Sequence, residues 1–248
     1  MAAAENNKPV KGRRILVEKD GPYIVEGDIP LVSKLQVVSE HGEPLTWQKQ
    51  GDIDVSPGEY RLCRCGQSKS WPFCDDSHID VGFDGKETAD TAPSETRKEN
   101  FPSGTHILVR KDNSLCMESG FCGFGTANLS QLLLASKDTK VRALVMAMVE
   151  RCPSGALTYR IEPDTPEIET DLPLQIALTT EITSDGPIKG PLWVTGGIPV
   201  ERSDGQPFET RNRVTLCNCG NSHNKPLCDG THRSLAEREA RHRRAAGR

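Results

Sequence analysis

Long apolar runs are missing from this sequence. No stretch of its 248 residues approaches the roughly 18 consecutive apolar residues needed to cross a bilayer, and residues 1–14 are polar, without the apolar stretch of a secretory signal. Both absences lead us to expect a soluble, intracellular chain, placed in the cytoplasm. Aromatic residues are scarce at 5%, and only 35% of the chain is hydrophobic. With 22 glycines and 17 prolines, that composition predicts short strands and many turns and argues against a single large packed core. A dominant charge is also lacking. The net charge of −4 is spread over interspersed acids and bases, so the global field favours neither nucleic acid nor anionic lipid. No nucleotide-binding glycine loop and no nucleophile with its base stands out, which weighs against an enzyme.

Cysteine, by contrast, is plentiful. Nine is an odd number, so complete disulfide pairing is excluded, and in a reducing compartment metal ligation is the better expectation. The nine fall into three groups: Cys63, Cys65 and Cys74; Cys116, Cys122 and Cys152; Cys217, Cys219 and Cys228. From Cys63 the chain reads C-R-C-G-Q-S-K-S-W-P-F-C-D-D-S-H, and from Cys217 C-N-C-G-N-S-H-N-K-P-L-C-D-G-T-H, with cysteine and histidine at the same offsets. Upstream, residues 21–30 answer residues 190–199. This is a duplicated site.

Three thiolates and one imidazole fit a closed tetrahedral zinc site, so a ligand count alone leaves zinc open. Spacing favours another cofactor. Zinc modules usually present C-x2–4-C knuckles, whereas C-x-C puts two sulfurs on one face of an extended strand, suited to one iron of a two-iron rhomb. Both segments resemble the CDGSH iron–sulfur (NEET-type) motif. That resemblance implies a [2Fe–2S] cluster on Cys63, Cys65, Cys74 and His78 and another on Cys217, Cys219, Cys228 and His232. Residues expected to support these ligands are Ser68, Asp75, Asp76 and Ser77 in the first copy and Ser222, Asp229, Gly230 and Thr231 in the second. One departure stands out: Asp76 replaces the motif's glycine. Aspartate tolerates left-handed geometry better than most residues, so we expect a retained cluster of lower potential. Family members with one copy are similar in pairing as homodimers, which implies that the two copies here pack as an intramolecular pseudo-dimer, leaving the chain monomeric.

The middle cysteines lie in C-x5-C and in a Cys-Pro turn after the helix-patterned run 141–149. They resemble a monocluster ferredoxin in which Ser119 stands where a further cysteine would be. Similar three-cysteine ferredoxins carry [3Fe–4S]; a [4Fe–4S] cluster with His106, Glu118 or Ser119 on its fourth iron is the alternative, and three buried thiols the bland one. The expected fold is α+β: a CDGSH module over 1–83, a linker over 84–104, a ferredoxin-like domain over 105–171, a second CDGSH module over 172–233 and a basic tail over 234–248. Strands are expected at 13–18, 22–25, 35–38 and 59–62, and at 174–179, 192–195 and 213–216. His223 matches Lys69 of the first copy and reads as a surface residue. The expected role is electron transfer, redox sensing or cluster transfer with a redox or cluster-accepting protein; the alternative is an electron relay serving a separate catalytic partner.

Overall fold

The computed structural model describes residues 12–101, 106–125 and 127–246. Most of the polar start, residues 102–105 at the expected linker boundary, and Arg248 of the tail lie outside the described residues.

The first copy supplies β1 (Arg14–Val17), β2 (Tyr23–Glu26), β3 (Leu31–Val38), β4 (Pro44–Ile53), β5 (Glu59–Leu62) and the short helix α1 (Ser77–Asp80). The middle region contains β6 (Glu99–Asn100), β7 (Leu108–Lys111), β8 (Gly123–Phe124), β9 (Ala127–Asn128), α2 (Leu129–Leu134), α3 (Thr139–Glu150) and β10 (Leu157–Arg160). The second copy supplies β11 (Gln175–Thr183), β12 (Gly186–Thr195), β13 (Val200–Glu201), β14 (Arg213–Leu216) and α4 (Thr231–Ala246). The chain is β-rich and α+β.

The repeat is visible in the register. Val25 faces Ile15 and Tyr23 faces Leu62 in the first copy, as Val194 faces Ile176 and Leu192 faces Leu216 in the second. Each copy then lends a strand to the other. β13 pairs in parallel with β1, Ile15 beside Val200, and β3 pairs in parallel with β11, Ile176 beside Leu31. The sheets accordingly run β13-β1-β2-β5 and β14-β12-β11-β3-β4. A parallel pair needs a long connection between its strands, which exchange between the copies provides.

This exchange explains a core larger than composition suggested. Ile15, Tyr23 and Leu62 belong to one contiguous buried cluster with Ile176, Leu192 and Leu216, and with Ile107, Leu133 and Val149 of the middle region. The apolar residues are few but concentrated on strand faces that meet, so three partial cores merge. In the middle region, Asn128 and Gln131 form a reciprocal cap on α2, and the Asp138 side chain accepts from Lys140 N at the start of α3.

Residues 84–101 are anchored to the body. The buried guanidinium of Arg64 donates to Gly85 O and, at 3.0 Å, to Glu18 O. Thr88 N and Ala89 N donate to Lys225 O at 2.7 and 2.9 Å. The tail is helical: α4 begins at Thr231 and carries His232 in its first turn, and Arg244 farther along pairs with Asp185.

Candidate metal centres

β5 and β14 each end one residue before a C-x-C pair. Isolated bridges, Leu62 to Phe73 and Leu216 to Leu227, fold the following loop back onto the strand. Cys63 N donates to Pro72 O at 2.8 Å and Cys74 N to Arg61 O at 3.0 Å; Cys217 N and Cys228 N make the same bonds to Pro226 O and Thr215 O, both at 2.9 Å. The third cysteine is thereby returned beside the first two. Inside the loop, Ser68 Oγ donates to Phe73 O at 2.6 Å and Ser222 Oγ to Leu227 O at 2.7 Å. Asp75 accepts from Lys69 N at 2.8 Å and Ser77 N at 3.1 Å, and Asp229 from His223 N at 2.8 Å and Thr231 N at 3.0 Å. These carboxylates tie the loop to the helical turn bearing the histidine. The bond from Ser77 and the backbone N–H groups hold the Asp75 carboxyl well below the usual range; burial opposes the same effect at Asp229, and the His223 and Thr231 bonds outweigh it.

The candidate ligand atoms meet in pairs. Sγ of Cys63 and Cys65 are 3.7 Å apart, as are those of Cys217 and Cys219. Cys74 Sγ lies 3.5 Å from His78 Nδ1 and Cys228 Sγ 3.4 Å from His232 Nδ1. With metal–sulfur bonds of about 2.3 Å and metal–nitrogen bonds of about 2.0 Å, the edges of a tetrahedron are about 3.8 Å between sulfurs and about 3.5 Å between sulfur and nitrogen. Each pair fits two corners of one metal's coordination sphere. Among the described residues, the single group of three ligand-type atoms mutually within 4.8 Å is Cys74, Asp76 and His78, so neither set of four converges on one point.

Burial makes three of these thiols reluctant to ionise. It pushes Cys65 up to about 11, raises Cys74, and holds Cys228 well above its ordinary value. The bond between Cys217 and Cys219 favours the thiolate on Cys217 and raises the Cys219 thiol. A bound metal would supply the positive charge that stabilises the thiolates.

The two centres differ in their surroundings. Asp76 sits at φ 65°, in the left-handed region that Gly230 occupies at φ 86°. A Cβ on Gly230 would lie 3.0 Å from Met117 O, a close approach of the middle region that the second copy can accept only with glycine. Asp76 is exposed and its carboxylate meets Arg61 Nη2 at 2.8 Å. Cys74 and His78 are half-buried, whereas Cys228 and His232 are buried. His232 Nε2 also lies 3.2 Å from Glu181 Oε1. His223 is exposed, as its mismatch with Lys69 suggested.

The middle cysteines come from three elements. Cys116 follows a 3₁₀ turn (Asn113–Leu115) whose cap, Asp112, accepts from Ser114 N; Cys152 follows α3; and Cys122 is exposed beside β8. The loop is held from outside: Gln36 Nε2 donates to Ser119 O at 3.3 Å, and Phe121 packs on Trp47 with ring centroids 5.7 Å apart. Arg213 of β14, 1% exposed, donates to the carbonyls of Val149, Glu150 and Cys152. The strand that delivers Cys217 therefore also fixes the Cys152 turn. Ser119 is buried with its carbonyl taken by Gln36, and the Glu118 side chain lies against the Gly230 turn.

Comparison with known families agrees with this arrangement. The family described as iron-binding zinc finger CDGSH type matches residues 20–79 and 189–233, and the one described as divergent 4Fe-4S mono-cluster matches residues 103–162 between them. A search of curated proteins found no match. The chain is an iron–sulfur-binding protein of the CDGSH type. Two CDGSH-type regions flank a divergent 4Fe-4S mono-cluster region. Among the described residues, no helix is long and apolar enough to cross a membrane.

Sequence reasoning missed Glu181, Arg61 and Arg213. Arg61 was detectable, because it replaces Thr215 of the other copy just as Asp76 replaces Gly230. Glu181 lies beyond the expected end of its strand, and no motif marks it.

Proposed function

We propose that this protein is a non-enzymatic electron carrier with a [2Fe–2S] cluster on Cys63, Cys65, Cys74 and His78, a second on Cys217, Cys219, Cys228 and His232, and a [3Fe–4S] cluster on Cys116, Cys122 and Cys152. A [4Fe–4S] cluster is the alternative in the middle. Ligands that meet in pairs support two-iron clusters over mononuclear zinc. We take 1–83, 105–171 and 172–233 as the three modules, in a cytoplasmic monomer with internal pseudo-two-fold symmetry. When bound, the clusters would accept and release single electrons.

The observation that carries the electron-transfer reading is that turns of the second site touch both the first site and the middle region. A Cβ on Gly220 would lie 2.4 Å from Cys65 O, and one on Gly66 2.6 Å from Cys219 O, so the two C-x-C turns touch through their backbones. The Gly230 turn touches Met117, next to Cys116. A chain whose sites acted independently would have no need to stack them. Stepwise anaerobic reduction followed by paramagnetic resonance tests the reading. Reversible signals from all clusters with iron retained support it, whereas clusters that bleach on reduction contradict it. Cluster donation is the second reading, favoured by the half-buried Cys74 and His78, and its assay is iron–sulfur transfer to an apo-ferredoxin.

A further inference from the structure

We propose that Glu181 is a positioning residue for the second motif, orienting His232 through its distal nitrogen and making the two CDGSH sites unequal in potential. The inference rests on the second motif holding a cluster. His232 presents Nδ1 to Cys228 Sγ at 3.4 Å and Nε2 to Glu181 Oε1 at 3.2 Å. Arg233 donates to the other carboxylate oxygen. A carboxylate only accepts, so the Nε2 proton points at Glu181 and the Nδ1 lone pair faces the metal side of the ring. The Glu181 side chain is 0% exposed and that of His232 4%, which keeps water from substituting for either partner.

The fold builds this contact deliberately. β11 has an irregular register between Leu178 and Thr180, and such irregularities re-aim side chains. Thr179 Oγ1 donates to Pro191 O at 2.6 Å. Gly190 on the neighbouring strand leaves the space that the carboxylate needs: a Cβ there would lie 2.4 Å from Thr179 Oγ1 and 3.2 Å from Glu181 Oε1.

The first copy has a different arrangement. β1 ends at Val17, and its hairpin turns at once through the Gly21 N to Glu18 O bond of 3.1 Å. Glu18 lies 3.7 Å from Arg61, with 46% of its side chain exposed. Among the described residues, no carboxylate hydrogen-bonds to the His78 ring. A carboxylate on the distal nitrogen makes an imidazole a stronger donor, which disfavours added electrons, and this effect acts through the ring even though Arg233 partners the charge of Glu181.

The test is Glu181→Gln in the holoprotein. Iron and sulfide analysis of the parent comes first, because a parent without sulfide defeats the cluster reading itself. The two potentials are then measured, with His78→Cys used to assign the first site. In the Gln variant the second cluster's potential should rise by a tenfold or larger change in its reduction equilibrium, about 59 mV for one electron, while the first stays in place. An unchanged second potential with its cluster intact overturns the proposal. Should the variant fail to load its second motif, double resonance on the reduced parent in deuterated solvent decides. A slowly exchanging nitrogen-bound proton at the second cluster, beside a rapidly exchanging one at the first, supports the role. Equal rapid exchange at both overturns it.

Discussion

Arg61 Nη2 lies 2.8 Å from Asp76 Oδ1 at the mouth of the first motif. Aspartate at the motif's glycine position therefore adds a partnered charge, and the lower potential expected from Asp76 is offset by the guanidinium. Thr215 and Gly230 hold the equivalent places in the second copy, so this charge and its counter-charge occur together in the first copy and both are missing from those two positions in the second. Arg61→Thr should unmask Asp76 and lower the first cluster's potential, as followed by a redox titration. Because the side chains are 38% and 53% exposed, stability should fall by no more than about 1 kcal/mol. A first cluster indifferent to Arg61 would show that the pair has no electrostatic effect on it.

Gly230→Asp should fail where Asp76 succeeds. Its φ of 86° costs a side chain about 1–2 kcal/mol, and the Cβ would press on Met117 O at 3.0 Å. Loss of thermal stability, with displacement of the loop between Cys116 and Cys122, is expected. The reverse change, Asp76→Gly, should leave the unfolding midpoint nearly unmoved.

Arg213 joins the middle region to the second copy. Its guanidinium bonds to the carbonyls of Val149, Glu150 and Cys152 and pairs with Glu169 at 3.2 Å. Arg213→Met should strip the guanidinium's bonds from those carbonyls and remove the cation from Glu169, destabilising the protein by about 3–5 kcal/mol, measured by denaturant unfolding. Limited proteolysis should then cut near the Cys152 turn.

Asp112 gives a pH dependence independent of the thiols. Burial opposes its ionisation, but bonds from Ser114, Ser94 and Arg97 outweigh burial and hold its carboxyl below the ordinary value of 3.8. A depressed carboxyl contributes stability that is present above the unfolded value and lost as pH falls through the folded one. The stability difference between the parent and Asp112→Asn should therefore be constant near neutrality and shrink below about pH 4. A difference that persists unchanged into acid would contradict this.

The repeat and the cysteine spacing made the two CDGSH domains and the middle domain legible, because ligand chemistry fixes residue types at fixed offsets. β4 was not legible. Its polar sequence lies at a sheet edge with Trp47 as one of its few apolar side chains, and its purpose, to hold Phe121 and the middle loop, appears only once the three regions are assembled. The strand exchange was hidden for a similar reason: Val200 and Glu201 form a strand too short for periodicity to mark. The Glu181 contact depends on an irregularity in β11 and on space left by Gly190, neither of which the local pattern of residues expresses.

Iron, acid-labile sulfide and zinc, measured on protein purified without oxygen, test the central claim most directly. The account predicts no stoichiometric zinc and about seven iron atoms per chain with a [3Fe–4S] middle cluster, or about eight with [4Fe–4S], accompanied by a matching amount of sulfide. Stoichiometric zinc without sulfide would contradict it.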